Sequence, residues 1–476
     1  MQAVNISHVD VSHAGVASLG TSLPDISQLG VESLWHPMTQ HKPLWKTPPP
    51  HIVKGDGCTI TTADGKSYLD AVAGIWCVNV GYGRQELAEV AYKQMMDLAY
   101  LSPTMSHEPG IKLAHKLLNL LDMEGRVYFS SSGSEANEAA FKMVWQYHAQ
   151  SGKSCAFPRH KIIARHRAYH GNTLGGMSAT GQAERKMGYG PIVPGFIHIP
   201  PPYPYRRNEH FTPAEHGLEM ARTLEETIIH EGAESIAAFI MEPMISGGGV
   251  LIPPDEYLPA VRNICSKYGV LLIFDEVVSG FGRTGEMFGH QHWQGVQADI
   301  VTFAKGIASG YMPLAATAVR QEIFDAFQGE AGDLSHFRHI NTYGGHPVAT
   351  AVGAKNIQII EEERLVENSR TLGAYFKSQL AEVFGEHPYV GEIRGKGLLI
   401  GIEMVADQKT KEPLETEKVA TVIAKTKEEG VLIGRNGNTV PGLANVLVMS
   451  PPLIAQQKDI DRVVDALGVG LQSILF

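Results

Sequence analysis

Lys305 ends the apolar run ADIVTFAK, and the loop GIASGYMP follows at once. An ammonium at the end of a strand this apolar is expensive to bury unless it has chemistry to perform. Asp275 sits near the end of a second apolar run, VLLIFDEVV. In an α/β sheet the carboxyl ends of neighbouring strands open onto one crevice, so these two side chains can face a single ligand. A lysine that forms a Schiff base with an aldehyde and a carboxylate that keeps a proton on a pyridine nitrogen are the pair that pyridoxal 5'-phosphate requires.

Three other segments bear on that pairing. SSSGSEANEAAF leads from a strand into a helix, and its backbone N–H groups around Ser132, Gly133 and Ser134 could hold a phosphate. An ordinary N-cap by Ser132 or Ser134 explains the same residues, and Glu135 and Glu138 disfavour a phosphate unless they point away. IARHRAYHGNTLGG puts Tyr169 and His170 in a glycine-bounded loop, where an aromatic could stack on a flat ring or pack in the core. IMEPMISGGG carries Glu242 at a strand end. Side chains alternate along a strand, so Glu276 points away from Asp275 while Val277 shares its face. Three carboxylates near one crevice need a compensating cation or protonated nitrogen. The histidines of GHQHW and FRHI lack a spacing that would make a metal site with them. Gly280-Phe-Gly282-Arg-Thr-Gly285 matches a dinucleotide-binding pattern, with Asp299 at a ribose-binding distance. Its strand ends in two acids, however, and EMFGHQHWQGVQ does not read as the long helix that pattern needs, so a tight loop held by Arg283 is expected instead.

The elements that must position these residues are readable as alternating patterns. RVYFS, KIIARH, SIAAFIMEP, VLLIFDEVV and DIVTFAK are strands separated by helical or irregular crossovers, which predicts a mostly parallel sheet covered on both faces. After about residue 350 helices surround short strands such as GLLIGIEMV and VLIGR, the texture of a smaller α+β domain. CTITTADGKSYLDAVAG reads as a hairpin turning at Asp64–Gly65. The expected organisation is a loosely ordered extension over 1–30, part of a small domain over 31–84, a large cofactor-binding domain over 85–350, and the rest of the small domain over 351–476. A net charge of −10 with both signs interspersed argues against a nucleic-acid partner, and no apolar run is long enough to span a membrane. Cys58, Cys77, Cys155 and Cys265 show no C-x-x-C spacing and read as reduced thiols of a cytoplasmic protein.

SGSEAN, AYHG, FDEV followed by GFGRTG, FAKG and NTYGGHPVA, in this order, resemble the class III pyridoxal phosphate aminotransferases. The resemblance runs from about residue 32 to the C-terminus, and GIWCVNVGYGR and WHPMTQHK point within it to the ω-amino acid and amine:pyruvate group, taurine:pyruvate enzymes included. It implies fold type I with a seven-stranded large-domain sheet, in a homodimer or dimer of dimers with active sites at the subunit interface. It places the Schiff base on Lys305, the ring-nitrogen partner on Asp275, ring stacking on Tyr169 and the other ring face on Val277. His170 and Glu242 would border the cofactor, Ser132, Gly133 and Ser134 its phosphate, with Thr342 donated by the partner subunit. Trp76 would line the substrate pocket, and Arg435 would swing in for a carboxylate and out for a neutral group. Arg394 in RGKG also matches a family position, where a structural role is as open as a binding one. Amine-preferring relatives carry paired aromatics where this chain has Leu101-Ser102-Pro103, which implies small polar donors such as taurine, β-alanine or a diamine. The expected activity is therefore amino transfer from a terminal amine to pyruvate. An aminomutase with the same cofactor and a nicotinamide dehydrogenase using GFGRTG are the alternatives.

Overall fold

Seven strands form the central sheet, in the order Gly125–Ser130, Ala315–Arg320, Ile300–Phe303, Leu271–Asp275, Ile236–Met241, Lys161–Arg165, Phe196–Ile199. This computed structural model describes residues 25–151, 159–437 and 442–475. All the sheet strands run in one direction except Ala315–Arg320. Every residue of Ile236–Met241 and Ile300–Phe303 is buried, as expected for strands covered on both faces. On one face Phe141 and Val144 of helix Gly133–Gln150 pack with Ile162, Ile240 and Ile273. On the other, Leu224 of helix Pro213–His230 and Val261 of helix Tyr257–Tyr268 belong to the cluster holding Phe239, Leu272 and Phe274.

The register of this sheet sets up the site. Asp275 lies opposite Thr302, and Met241 opposite Phe274, so Glu242 comes level with Asp275 at the carboxyl edge. The loops that follow Lys161–Arg165, Gly125–Ser130 and Ile300–Phe303 leave from that same edge. Strands Phe196–Ile199 and Ala315–Arg320 complete the sheet without a strong signal of their own: one is an edge strand containing His198, the other is half alanine.

A second, antiparallel sheet joins Val390–Lys396, Leu399–Asp407, Val446–Met449 and Gly434–Arg435. Val431–Leu432 pairs in parallel with Leu69–Asp70. Among the described residues, 25–54 and 61–66 form a separate compact unit. Within it Asp25 caps helix Ile26–Ser33 by accepting from the Ser27 N–H at 3.0 Å, so the stretch expected to be a loose extension is helical from Ile26. Residues 1–24 lie outside the described residues. The expected turn is present: Gly65 takes φ +85°, and the Thr62 N–H donates to the Lys66 carbonyl at 2.9 Å. Among the described residues no helix is long and apolar enough to cross a membrane. Cys58, Cys77 and Cys265 are free thiols, and Cys155 lies outside the described residues.

Candidate active site

A cavity of about 550 Å³ opens at the carboxyl edge of the central sheet, with Lys305, Asp275 and Glu242 in its wall. Lys305 begins the short 3-10 turn Lys305–Ile307, just past the end of its strand, with φ +47°. A left-handed lysine costs about 1–2 kcal/mol and persists only where the surroundings hold it. The Asn356 amide does so by donating to the carbonyls of Gly306 and Ile307 at 2.8 and 3.0 Å. The ammonium lies 5.9 Å from the Trp76 ring. Burial lowers the Lys305 pKa, against the opposing pull of Cys77, Asp275 and Glu242, which brings the neutral amine within easier reach.

Asp275 is buried in a network with a fixed direction. Thr302 Oγ1 donates to Asn137 Oδ1 at 2.8 Å, which turns the Asn137 amide N–H₂ toward Asp275 Oδ2 at 2.8 Å and the His170 carbonyl at 2.8 Å. His170 Nδ1 lies 2.9 Å from the same carboxylate oxygen, and the Val277 N–H donates to Oδ1 at 3.1 Å. These donors fix the orientation of the carboxylate at the cavity wall. Glu242 accepts from the Tyr169 and Ser246 N–H groups at 3.1 and 2.9 Å; burial pushes its carboxyl up, with Asp275 adding to the shift and His170 opposing it.

Ser132, Gly133 and Ser134 also line the cavity, where helix Gly133–Gln150 presents its N-terminus. The two glutamates that stood against a phosphate there are turned away. Glu135 accepts from the Ser131 N–H at 2.8 Å, and Glu138 from Gly175 and Gly176 at 2.7 and 3.1 Å. Ser132 also serves as the N-cap, accepting from the Glu135 N–H. Gly171 takes φ +123°, and a Cβ there would come within 2.6 Å of Ser134 Oγ, so the loop bearing Tyr169 and His170 sits directly on this helix end. Val277 and Trp76 complete the expected lining, and Arg435 reaches the cavity from its short strand, exposed. Thr342 does not line the cavity; its carbonyl accepts from Tyr100 at 3.0 Å. The Leu101-Ser102-Pro103 segment lines a different cavity, of about 570 Å³, which has no lysine or carboxylate in its wall.

Arg394 is fully engaged in structure: it donates to the carbonyls of Gly249 and Val250 and pairs with Glu392 and Glu403 at 2.6 and 2.7 Å. GFGRTG is a series of tight turns followed only by the short 3-10 turn Gly289–His292, so it lacks the helix that would hold a pyrophosphate. Buried Arg283 ties it down by donating to the carbonyls of Leu398 and Pro451 and to Asn79. Glu276 faces away from the cavity and accepts from Ser279 and from the backbone and ring of His290. Burial pushes its carboxyl up, but these bonds carry it below its ordinary value. Glu276→Gln should therefore cost about 2–4 kcal/mol of stability at neutral pH. A depressed folded pKa gives stability that is full above the unfolded value of 4.5 and lost as pH falls through the folded one. Denaturant titrations from pH 7 to pH 3 should thus find the variant's stability falling less steeply than the wild type's. Parallel curves would contradict this role.

The class III aminotransferase family model matches residues 44–470. The chain belongs to the class III aminotransferases. This aminotransferase is 44% identical over 444 residues to the taurine–pyruvate aminotransferase of Bilophila wadsworthia, covering 92% of this chain and 95% of that protein. It is 39% identical to the putrescine–pyruvate aminotransferase of Pseudomonas aeruginosa, over 90% of this chain and 91% of that one. It also resembles the solved ω-transaminase of Pseudomonas jessenii in complex with PMP, with a TM-score of 0.89, 34% identity, and coverage of 94% and 98%.

The cavity of this class III aminotransferase suits a pyridoxal group on its own donor set. It offers a partly desolvated amine, an oriented carboxylate, an aromatic ring and an open helix N-terminus from which the acids are turned away. Asn137, which aims at Asp275, lies within SGSEAN but is not among the residues expected to serve the site. A polar residue on the alanine-rich face of that helix is the signal that marks it. Arg185 and Gln182 also line the cavity, from a loop whose sequence carries no motif.

Proposed function

We propose that this aminotransferase uses pyridoxal phosphate to move an amino group from a terminal amine donor to pyruvate. The products are an aldehyde or ketone and alanine. The observation that carries the reading is the convergence of Lys305, Asp275, Tyr169 and the N-terminus of helix Gly133–Gln150 on one cavity. Taurine, β-alanine, and aliphatic amines or diamines are the donor candidates, in keeping with the names of the relatives.

When bound, the cofactor supplies an electron-poor pyridinium that takes up the electron pair left when a proton leaves the amine-bearing carbon. Lys305 Nζ would hold the cofactor and, as a free amine, would take that proton; its lowered pKa suits a base. Asp275, oriented by Asn137 and His170, keeps the ring nitrogen protonated. Tyr169 and Val277 would orient the ring from its two faces, and backbone N–H groups at Gly133 and Ser134 would bind the phosphate. Trp76 borders the donor and Arg435 binds the carboxylate of pyruvate. A homodimer or dimer of dimers belongs to this reading. Ile75 lines the cavity yet is 68% exposed, and Thr342 stands outside it, as suits a residue serving a partner subunit's site.

The test is the visible absorption of the purified protein loaded with pyridoxal phosphate, followed while amines are added. The expected result is a band that an amine abolishes and that pyruvate restores, with alanine formed in equal amount. A band that never forms, or amine conversion that needs no keto acid, would overturn the reading.

A further inference from the structure

The cavity that holds Lys305 carries two guanidinium groups, Arg435 and Arg185, although the carboxylate of a single keto acid needs only one. Arg185 ends the short turn Ala183–Arg185, and its guanidinium carbon lies 5.2 Å from the centre of the Tyr169 ring. A guanidinium held near a ring face by this cation–π attraction keeps its N–H donors available to an anion. Arg435, in contrast, stands exposed on a two-residue strand.

Among the described residues neither arginine has an ion-pair partner. The acids of the cavity are already committed: Glu242 to the Tyr169 and Ser246 N–H groups, Asp275 to Asn137, His170 and Val277. Glu184 is next to Arg185 in the chain, yet its carboxylate lies toward Gly437. A partly buried and unpaired cation in a cavity wall favours an anion there, and a second cation is disfavoured by the same field.

We propose that Arg185 is a fixed anchor for the acidic end of the amine donor, a sulfonate or carboxylate at the terminus remote from the amine, while Arg435 serves the keto acid. The assignment rests on the proposed function, in which the donor amine reaches Lys305, and it narrows that reading. Donors are ω-amino acids or ω-aminosulfonates, and diamines rank below them because their far ammonium would face Arg185.

The test compares Arg185→Gln and Arg185→Lys holoenzymes with the wild type, using taurine, β-alanine, butylamine and 1,4-diaminobutane as donors and pyruvate as acceptor. In Arg185→Gln, kcat/KM for taurine and β-alanine should fall at least about tenfold further than for butylamine, mainly through KM. The rate with the diamine relative to taurine should rise. Arg185→Lys should recover part of the loss, and the KM for pyruvate should move less than that for taurine. Equal losses for all four donors would mean that Arg185 only steadies Tyr169, and would overturn the proposal. A selective rise in the pyruvate KM, no loss at all, or loss of cofactor absorption would overturn it as well. Calorimetric binding of 2-hydroxyethanesulfonate, which has the acid but no amine, separates this proposal from the proposed function. Binding that weakens about tenfold or more in Arg185→Gln supports the anchor even if no donor turns over. Binding equal in both proteins sinks the anchor and leaves the transaminase reading untouched.

Discussion

Lys305→Ala should lower turnover by about 10⁴-fold or more, because in the proposed function one side chain both holds the cofactor and moves the proton. The loss should be chemical rather than structural. The side chain projects into the cavity, and the turn beneath it is held through backbone carbonyls of Gly306 and Ile307 by Asn356. Alanine at φ +47° is strained in the same way as lysine, so the folded state keeps its shape. Alanine formation from pyruvate and a donor amine, measured beside a thermal melt, checks both parts. A variant that melts like the wild type but turns over at a near-normal rate would remove Lys305 from the chemistry.

Asp275→Asn should cost about 10³-fold in kcat, since an amide cannot hold a proton on a pyridine nitrogen. The surroundings sharpen this expectation. Oδ2 of Asp275 accepts from both Asn137 and His170, and Thr302 prevents the Asn137 amide from turning over to compensate. An asparagine must place its own N–H₂ against one of those donors or toward the cofactor, and either leaves a donor unpaired. A modest stability loss should therefore accompany the catalytic one. The discriminating measurement is the isotope effect with a donor deuterated on the amine-bearing carbon. It should grow in Asp275→Asn, because proton removal becomes the slow step. An unchanged isotope effect with near-normal kcat would end the assignment of Asp275.

Both expectations are legible in the amino-acid sequence because a lysine and an aspartate at the ends of apolar runs are anomalies of a simple kind. Near-continuous apolar strands mean a sheet covered on both faces, and a charge that closes such a strand has to sit at its open edge. The strands Leu271–Asp275 and Ile300–Phe303 follow that logic, and their adjacency brings Asp275 and Lys305 to one cavity. The opposed directions of Asp275 and Glu276 are equally accessible, since alternation is a property of every strand. The helix after Gly133 is only half readable. Its apolar face and its cap are evident, but whether Glu135 and Glu138 point away depends on Ser131, Gly175 and Gly176, one of them local and two from the short helix Leu174–Ala179.

Local order along the chain thus determined the strands, the helices and the charged residues that interrupt apolar patterns. Nothing local orders strands across a sheet, which is why Ala315–Arg320 enters it antiparallel between Gly125–Ser130 and Ile300–Phe303 without announcing itself. Tertiary structure alone decided which polar groups find each other. It gave Arg394 to Glu392 and Glu403, bound Arg283 to the carbonyls of Leu398 and Pro451, and left Arg185 near the Tyr169 ring with no acid paired to it among the described residues. The physical reason is that hydrogen bonds and ion pairs are selected by distances of about 3 Å, set by packing between segments far apart in the chain.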